Sequence, residues 1–139
     1  MKTVMIFGTF DILHPGHINF MNQAKKHGDK MIIVIARDVN VKKIKGEDPV
    51  HDEIHRRREV EHFDRKNTVI LGDLEDPFKA IKEYKPDVIC LGYDQESFNV
   101  GLENKLKEMK INSKVVRLKP FFEKVYKSSL MTERYKSSK

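Results

Sequence analysis

The 139-residue chain has one cysteine and no tryptophan, and its longest apolar run is only residues 31–36. A lone Cys90 has no internal disulfide partner, so a reducing, cytoplasmic setting is expected and a disulfide-stapled fold is excluded. A bilayer-spanning helix needs roughly 20 apolar residues in a row, and this chain offers nothing close. Met1-Lys2 runs into a short strand-like stretch and then Gly8, so no secretory leader is expected. What is abundant is charge: 27 Lys+Arg against 21 Asp+Glu, a formal net charge of +6. The length suits one domain over residues 1–139, with a Lys-Ser tail at about 136–139 that is expected to fray.

Short apolar stretches alternate with helical patterns along the chain. Strands are expected at residues 2–7, 30–36, 68–71, 87–91 and 114–118, each nearly continuous in Val, Ile or Leu. Such continuity is the mark of a parallel sheet covered on both faces. Helices are expected at 15–27, 53–63, 77–84 and 100–109, with a last one from about 129. Pro15 sits at a first helical position, and Gly28 is placed to end that helix as a left-handed cap. The alternation predicts an α/β, Rossmann-like, doubly wound sheet of about five parallel strands with helices on both faces. In such sheets ligands gather outside the carboxyl ends of the strands. The segments to search are therefore 8–17, 37–49, 72–76, 92–98 and 119–129.

The first of these reads Gly8-Thr9-Phe10-Asp11-Ile12-Leu13-His14-Pro15-Gly16-His17. Gly8 lets a ligand approach the backbone, and Gly16 keeps a helix start free of side-chain bulk. Free N–H groups there, at the positive end of the helix dipole, form an anion site. His14 and His17 can point into the space above that helix start. From there they can donate to phosphate oxygens that gain charge in phosphoryl or nucleotidyl transfer. Zinc ligation is the competing chemistry, but no cysteine or acidic cluster nearby completes a tetrahedral set.

Lys42, Lys43 and Lys45 put three ammonium groups into four positions after the second strand. A solvated face is the ordinary meaning of a lysine cluster, but this place in the sheet favours phosphate. Gly46 and Asp48-Pro49 then read as a loop, and Arg56-Arg57-Arg58 fall in the opening turns of the following helix. After the fourth strand, the turn Gly92-Tyr93-Asp94-Gln95 presents Asp94, a carboxylate suited to ribose hydroxyls or a base edge.

The stretch from Gly8 to His17 resembles the GTFDxxHxGH signature of the cytidylyltransferase-like nucleotidyltransferases. Similarity continues through Ala36-Arg37-Asp38, Val41-Lys42-Lys43-Ile44-Lys45-Gly46, Arg56-Arg57 and Leu91-Gly92-Tyr93-Asp94-Gln95, where it is nearest to the archaeal type of FAD synthase. The resemblance implies transfer of AMP from ATP to FMN by direct in-line attack, giving FAD and pyrophosphate. It also implies a divalent ion, Mg2+, carried by the nucleotide, with no metal ligands from the protein. Gly8, Thr9, Phe10, His14, Pro15, Gly16, His17 and Asp94 would then contact the nucleotide, Thr9 and Phe10 through their backbone. His14 and His17 would stabilise the transition state. Lys45 or Lys43 would grip the acceptor phosphate, Lys45 serving as a catalytic group and Arg56 facing the same site.

Ser128 and Ser129 would bind the leaving phosphates, although the family's following Thr and flanking Ile are missing here. Phe121 would pack under adenine or fill core. Lys119 stands near a position where cytidylyltransferases carry arginine, which weighs against CTP. Homodimers are frequent in that family.

Two alternatives stay open. One is a cytidylyltransferase acting with CTP on glycerol 3-phosphate or a related phosphorylated acceptor. The other is a non-catalytic nucleic-acid-binding module, motivated by a pI near 9.3. That module needs a basic stripe interleaved with aromatics, whereas these lysines are spread along the chain. Neither nucleic acid nor a membrane is the expected partner. His51 and His55 are read as solvated histidines rather than a metal pair, and Cys90 as packing.

Overall fold

Val4 and Ile6 of β1 (Thr3–Gly8) turn to one side of a sheet while Met5 turns to the other, and that alternation organises the whole protein. The computed structural model describes residues 2–92 and 96–118. β1 pairs in parallel with β2 (Lys30–Ile35) and with β4 (Val88–Leu91). β3 (Thr68–Leu71) extends the sheet beyond β2, and β5 (Lys114–Arg117) extends it beyond β4. The order is β3-β2-β1-β4-β5, all parallel. The winding reverses between β1 and β4, and the carboxyl ends of these two strands therefore flank the crevice where a ligand fits.

On one face Ile33, Ile35, Val88 and Cys90 join Val4 and Ile6 beneath α1 (Pro15–Lys25) and α3 (Glu53–Phe63), which contribute Met21, Ala24 and Val60. On the other, Met5, Ile32, Val34, Ile89 and Leu91 pack under α4 (Lys79–Tyr84) and α5 (Glu96–Met109), through Ala80, Ile81, Leu102 and Leu106. Both faces are apolar, as the strand patterns predict. Cys90 is buried in this core, and burial pushes its thiol pKa up to about 11, so it is packing material rather than a nucleophile. No helix among the described residues is long and apolar enough to cross a membrane.

The sequence expectation is corrected at three places. α2 (Asp38–Lys45) is a helix where only a post-strand segment was expected. It buries Val41 alone, so its apolar periodicity is too thin to read. Gly28 is not a left-handed cap: α1 ends at Lys25 with Lys26 in an ordinary right-handed conformation. A Cβ on Gly28 would lie 2.9 Å from the Lys2 carbonyl oxygen, so the glycine is there for close approach to β1. The left-handed glycine cap belongs to Gly46, φ +83°, which closes α2. Finally, α5 begins at Glu96 rather than at Val100.

Candidate active site

β1 delivers the chain into the crevice at Gly8. An added Cβ there would meet the Phe10 ring at 2.6 Å, so Gly8 clears the way for that ring. Phe10 has a left-handed backbone, φ 50°, which swings its side chain back into the core. The ring lies 5.3 Å from His17 and 6.5 Å from Phe20, centroid to centroid. Only the Phe10 backbone is left to face a ligand.

His14 is the N-cap of α1: its Nδ1 accepts from the Gly16 N–H at 3.0 Å, and Pro15 occupies the first helical position. With Nδ1 accepting, the neutral ring carries its proton on Nε2. That Nε2 is buried and has no hydrogen-bond partner. The His17 ring stacks on His14 with centroids 3.9 Å apart, and its Nδ1 is also buried and unpartnered. Buried polar atoms are almost always paired in native proteins. Two unpaired ring nitrogens side by side at a helix N-terminus mark a candidate ligand site, in which the His14 Nε2–H and the free N–H groups of the helix start can donate to an anion.

Burial lowers the His14 pKa. The His17 pKa falls to about 3, chiefly through burial, then through His14 and the Lys45 ammonium, with a hydrogen bond to the Ile12 backbone opposing. Both rings are therefore neutral at pH 7. An arriving phosphate would favour their charged forms and raise both pKa values.

This has a consequence for stability. A histidine whose folded pKa lies below its unfolded value of 6.5 binds fewer protons folded than unfolded. Stability is then unaffected above pH 6.5 and falls as the pH drops from there toward 3. For His17 alone the loss at pH 5 is expected to reach about 2 kcal/mol. Urea unfolding at pH 7.5 and pH 5 checks this, and His17→Gln is expected to shrink the difference between the two.

α2 brings the lysines. Lys45, in its last turn, is near enough to His17 to depress the histidine pKa. Lys43 lies two residues away, about 200° around the helix, and so projects from the opposite side. The two expected acceptor-phosphate lysines are thus separated, with Lys45 on the side of the histidines. Gly46 and the loop behind it return toward the signature. There Asp11 accepts from the Val50 N–H at 2.7 Å and from the His51 N–H at 2.8 Å, fastening that loop across the entrance to α1.

Arg56 is placed differently from the expectation that it faces the acceptor phosphate. Its side chain is fully buried, and its guanidinium donates to the Thr9 carbonyl at 2.8 Å, the His51 carbonyl at 3.0 Å and the Asp38 carboxylate at 2.6 Å. It is a strut that ties α3 to the signature loop and to α2. Sequence reasoning assigned no role to Asp11, Asp38 or Glu53. Asp11 and Asp38 do fall within the quoted motifs, but their partners lie far along the chain and carry no local signal.

His51 and His55 stack with centroids 4.3 Å apart, and the His55 Nε2 lies 3.6 Å from Glu59. Among the described residues no group of three or more His, Cys, Asp or Glu side chains is arranged to hold a metal ion. Asp94, Tyr93, Lys119, Phe121, Ser128, Ser129 and the expected final helix lie outside the described residues.

The Cytidylyltransferase-like profile matches residues 5–139. The chain belongs to the cytidylyltransferase-like family. An FAD synthase of Ferroglobus placidus is 48% identical over 120 residues, 86% of this chain and 77% of that protein. An FAD synthase of Archaeoglobus profundus is 46% identical over 130 residues, 93% of this chain and 82% of that protein. Among solved structures, a lipopolysaccharide core biosynthesis protein from Thermoplasma volcanium superposes with a TM-score of 0.80. It is 38% identical, over 87% of this chain and 98% of that one. In this member of the cytidylyltransferase-like family, the start of α1 and Lys45 at the end of α2 come together around His17.

Proposed function

We propose that this protein is an FMN adenylyltransferase, converting ATP and FMN into FAD and pyrophosphate. The observation that carries nucleotidyl transfer is the stacked His14–His17 pair, with its two buried, unpartnered ring nitrogens at the N-terminus of α1. The FAD synthase relatives, 46% and 48% identical over most of the chain, support FMN as the acceptor.

In this reading the triphosphate lies over the start of α1. A phosphate oxygen of FMN attacks the α-phosphorus in line, a new P–O–P linkage forms, and the bond to the β-phosphate oxygen breaks to release pyrophosphate. No protein nucleophile takes part in this direct transfer, and the buried Cys90 thiol, its pKa pushed up to about 11, is not one. His14 donates from Nε2, and His17 stands beside it where negative charge builds. Lys45, on their side of α2, holds the acceptor phosphate against its own repulsion from the triphosphate. Gly8, Thr9, Phe10, Pro15 and Gly16 supply close backbone and the helix start. Asp94, Phe121, Ser128 and Ser129 keep the nucleotide contacts that the family resemblance implies. Mg2+ would enter with the nucleotide as MgATP, as the family resemblance implies.

The test is a matrix of pyrophosphate release from ATP and from CTP, each with FMN and with glycerol 3-phosphate. Turnover with ATP and FMN alone, yielding FAD, is expected. Turnover confined to CTP and glycerol 3-phosphate would replace this assignment with a cytidylyltransferase, and no turnover in any cell would remove it.

A further inference from the structure

α2 is a short helix with little anchorage of its own. It buries only Val41, while Lys42, Lys43, Ile44 and Lys45 at its far end are exposed. Its N-cap, Arg37, makes no capping bond with its own side chain. Unpaired N–H groups at a helix start need a partner, and here it comes from another helix. The Glu53 carboxylate, in the first turn of α3, accepts from the Asp38 N–H at 2.9 Å through one oxygen and from Arg37 Nε at 2.9 Å through the other. The exchange is reciprocal. α3 gives Glu53 to α2, and α2 gives the Asp38 carboxylate back to Arg56, one turn further along α3. Arg37 also donates weakly to the Gly72 carbonyl at 3.3 Å, so the start of α2 is gripped from α3 and from the end of β3.

The geometry makes α2 a lever held at one end. From Asp38 to Lys45 the helix rises about 10 Å, so a tilt of about 10° at the gripped end displaces the Lys45 backbone by about 2 Å. A shift of that size exceeds what a hydrogen bond tolerates, so a displaced Lys45 would lose its charge-assisted bond to the acceptor phosphate.

We propose that Glu53 is a positioning residue for the acceptor: by capping α2 in trans, it sets where Lys45 stands relative to His17. Glu53 touches no substrate in this assignment, which deepens the FMN adenylyltransferase reading and rests on it for its kinetic test. Its second test needs no substrate.

The variants are Glu53→Ala, which loses both bonds, and Glu53→Gln, which keeps an acceptor for the Asp38 N–H. In steady-state assays with ATP and FMN, Glu53→Ala is expected to raise KM for FMN about 10-fold, as loss of a charge-assisted hydrogen bond allows. KM for ATP is expected to stay within about twofold, and Glu53→Gln to recover most of the loss. KM values for ATP and FMN rising together, or an unchanged KM for FMN, would overturn the proposal. If the unaltered protein makes no FAD, the functional reading fails instead, and the ring resonances of His17 decide the positioning role. Without substrate, Glu53→Ala is expected to shift those resonances in the direction that Lys45→Ala shifts them. Unmoved His17 resonances in a folded Glu53→Ala protein would overturn the proposal whatever the reaction is.

Discussion

His17→Ala is expected to lower kcat for FAD formation by about 10²–10³-fold while the protein stays folded. The effect is large because the ring stands where charge accumulates on the reacting phosphates, and such a contact strengthens in the transition state. It should therefore appear in kcat and in kcat/KM together, not in KM for ATP alone. The cost to the fold is modest for a specific reason. His17 carries a buried Nδ1 with no partner, so its removal relieves an uncompensated polar burial even as it gives up contact with His14 and Phe10. Pyrophosphate release at saturating ATP and FMN, with the thermal midpoint measured alongside, is the check. Wild-type turnover in folded His17→Ala would take the histidine pair out of the chemistry.

Those histidines were readable in the sequence because their chemistry is local. A glycine, two histidines three apart and a proline at a helix start fit one helix N-terminus, and each element of that reading has a short-range physical cause. The parallel sheet was readable for the same kind of reason: short strands with apolar centres, nearly continuous in β1, β2 and β4, suit a sheet covered on both faces. What could not be read was everything that spans the chain. Asp11 reaches Val50 and His51, Arg56 reaches Thr9, and Glu53 caps a helix that starts at Asp38. None of these pairs leaves a periodicity. α2 escaped for a related reason, since its N-terminus is completed by a residue of another helix rather than by its own cap. Gly28 shows the converse error. A glycine at a helix end suggests a left-handed cap, but here the neighbouring β1 backbone leaves no room for a side chain.

Arg56→Met is expected to destabilise the fold by about 3–5 kcal/mol, the range for removing one member of a buried charge pair. A domain of this size has only about 5–15 kcal/mol in total, so the effect should be plain in urea unfolding. Methionine keeps most of the aliphatic volume, which limits any cavity and isolates the lost bonds. Three acceptors lose their donor at once: the Thr9 carbonyl, the His51 carbonyl and the Asp38 carboxylate. Asp38 is 36% exposed and can recover water, which places the expected loss toward the lower end of that range. Arg56→Lys should fall between the two, because an ammonium cannot reproduce a planar fork with three separate partners. The result also decides what this arginine is for. A phosphate ligand replaced by methionine would leave stability untouched and raise KM for FMN. A strut replaced by methionine lowers stability first, and activity follows because Thr9 and the start of α2 are no longer held together.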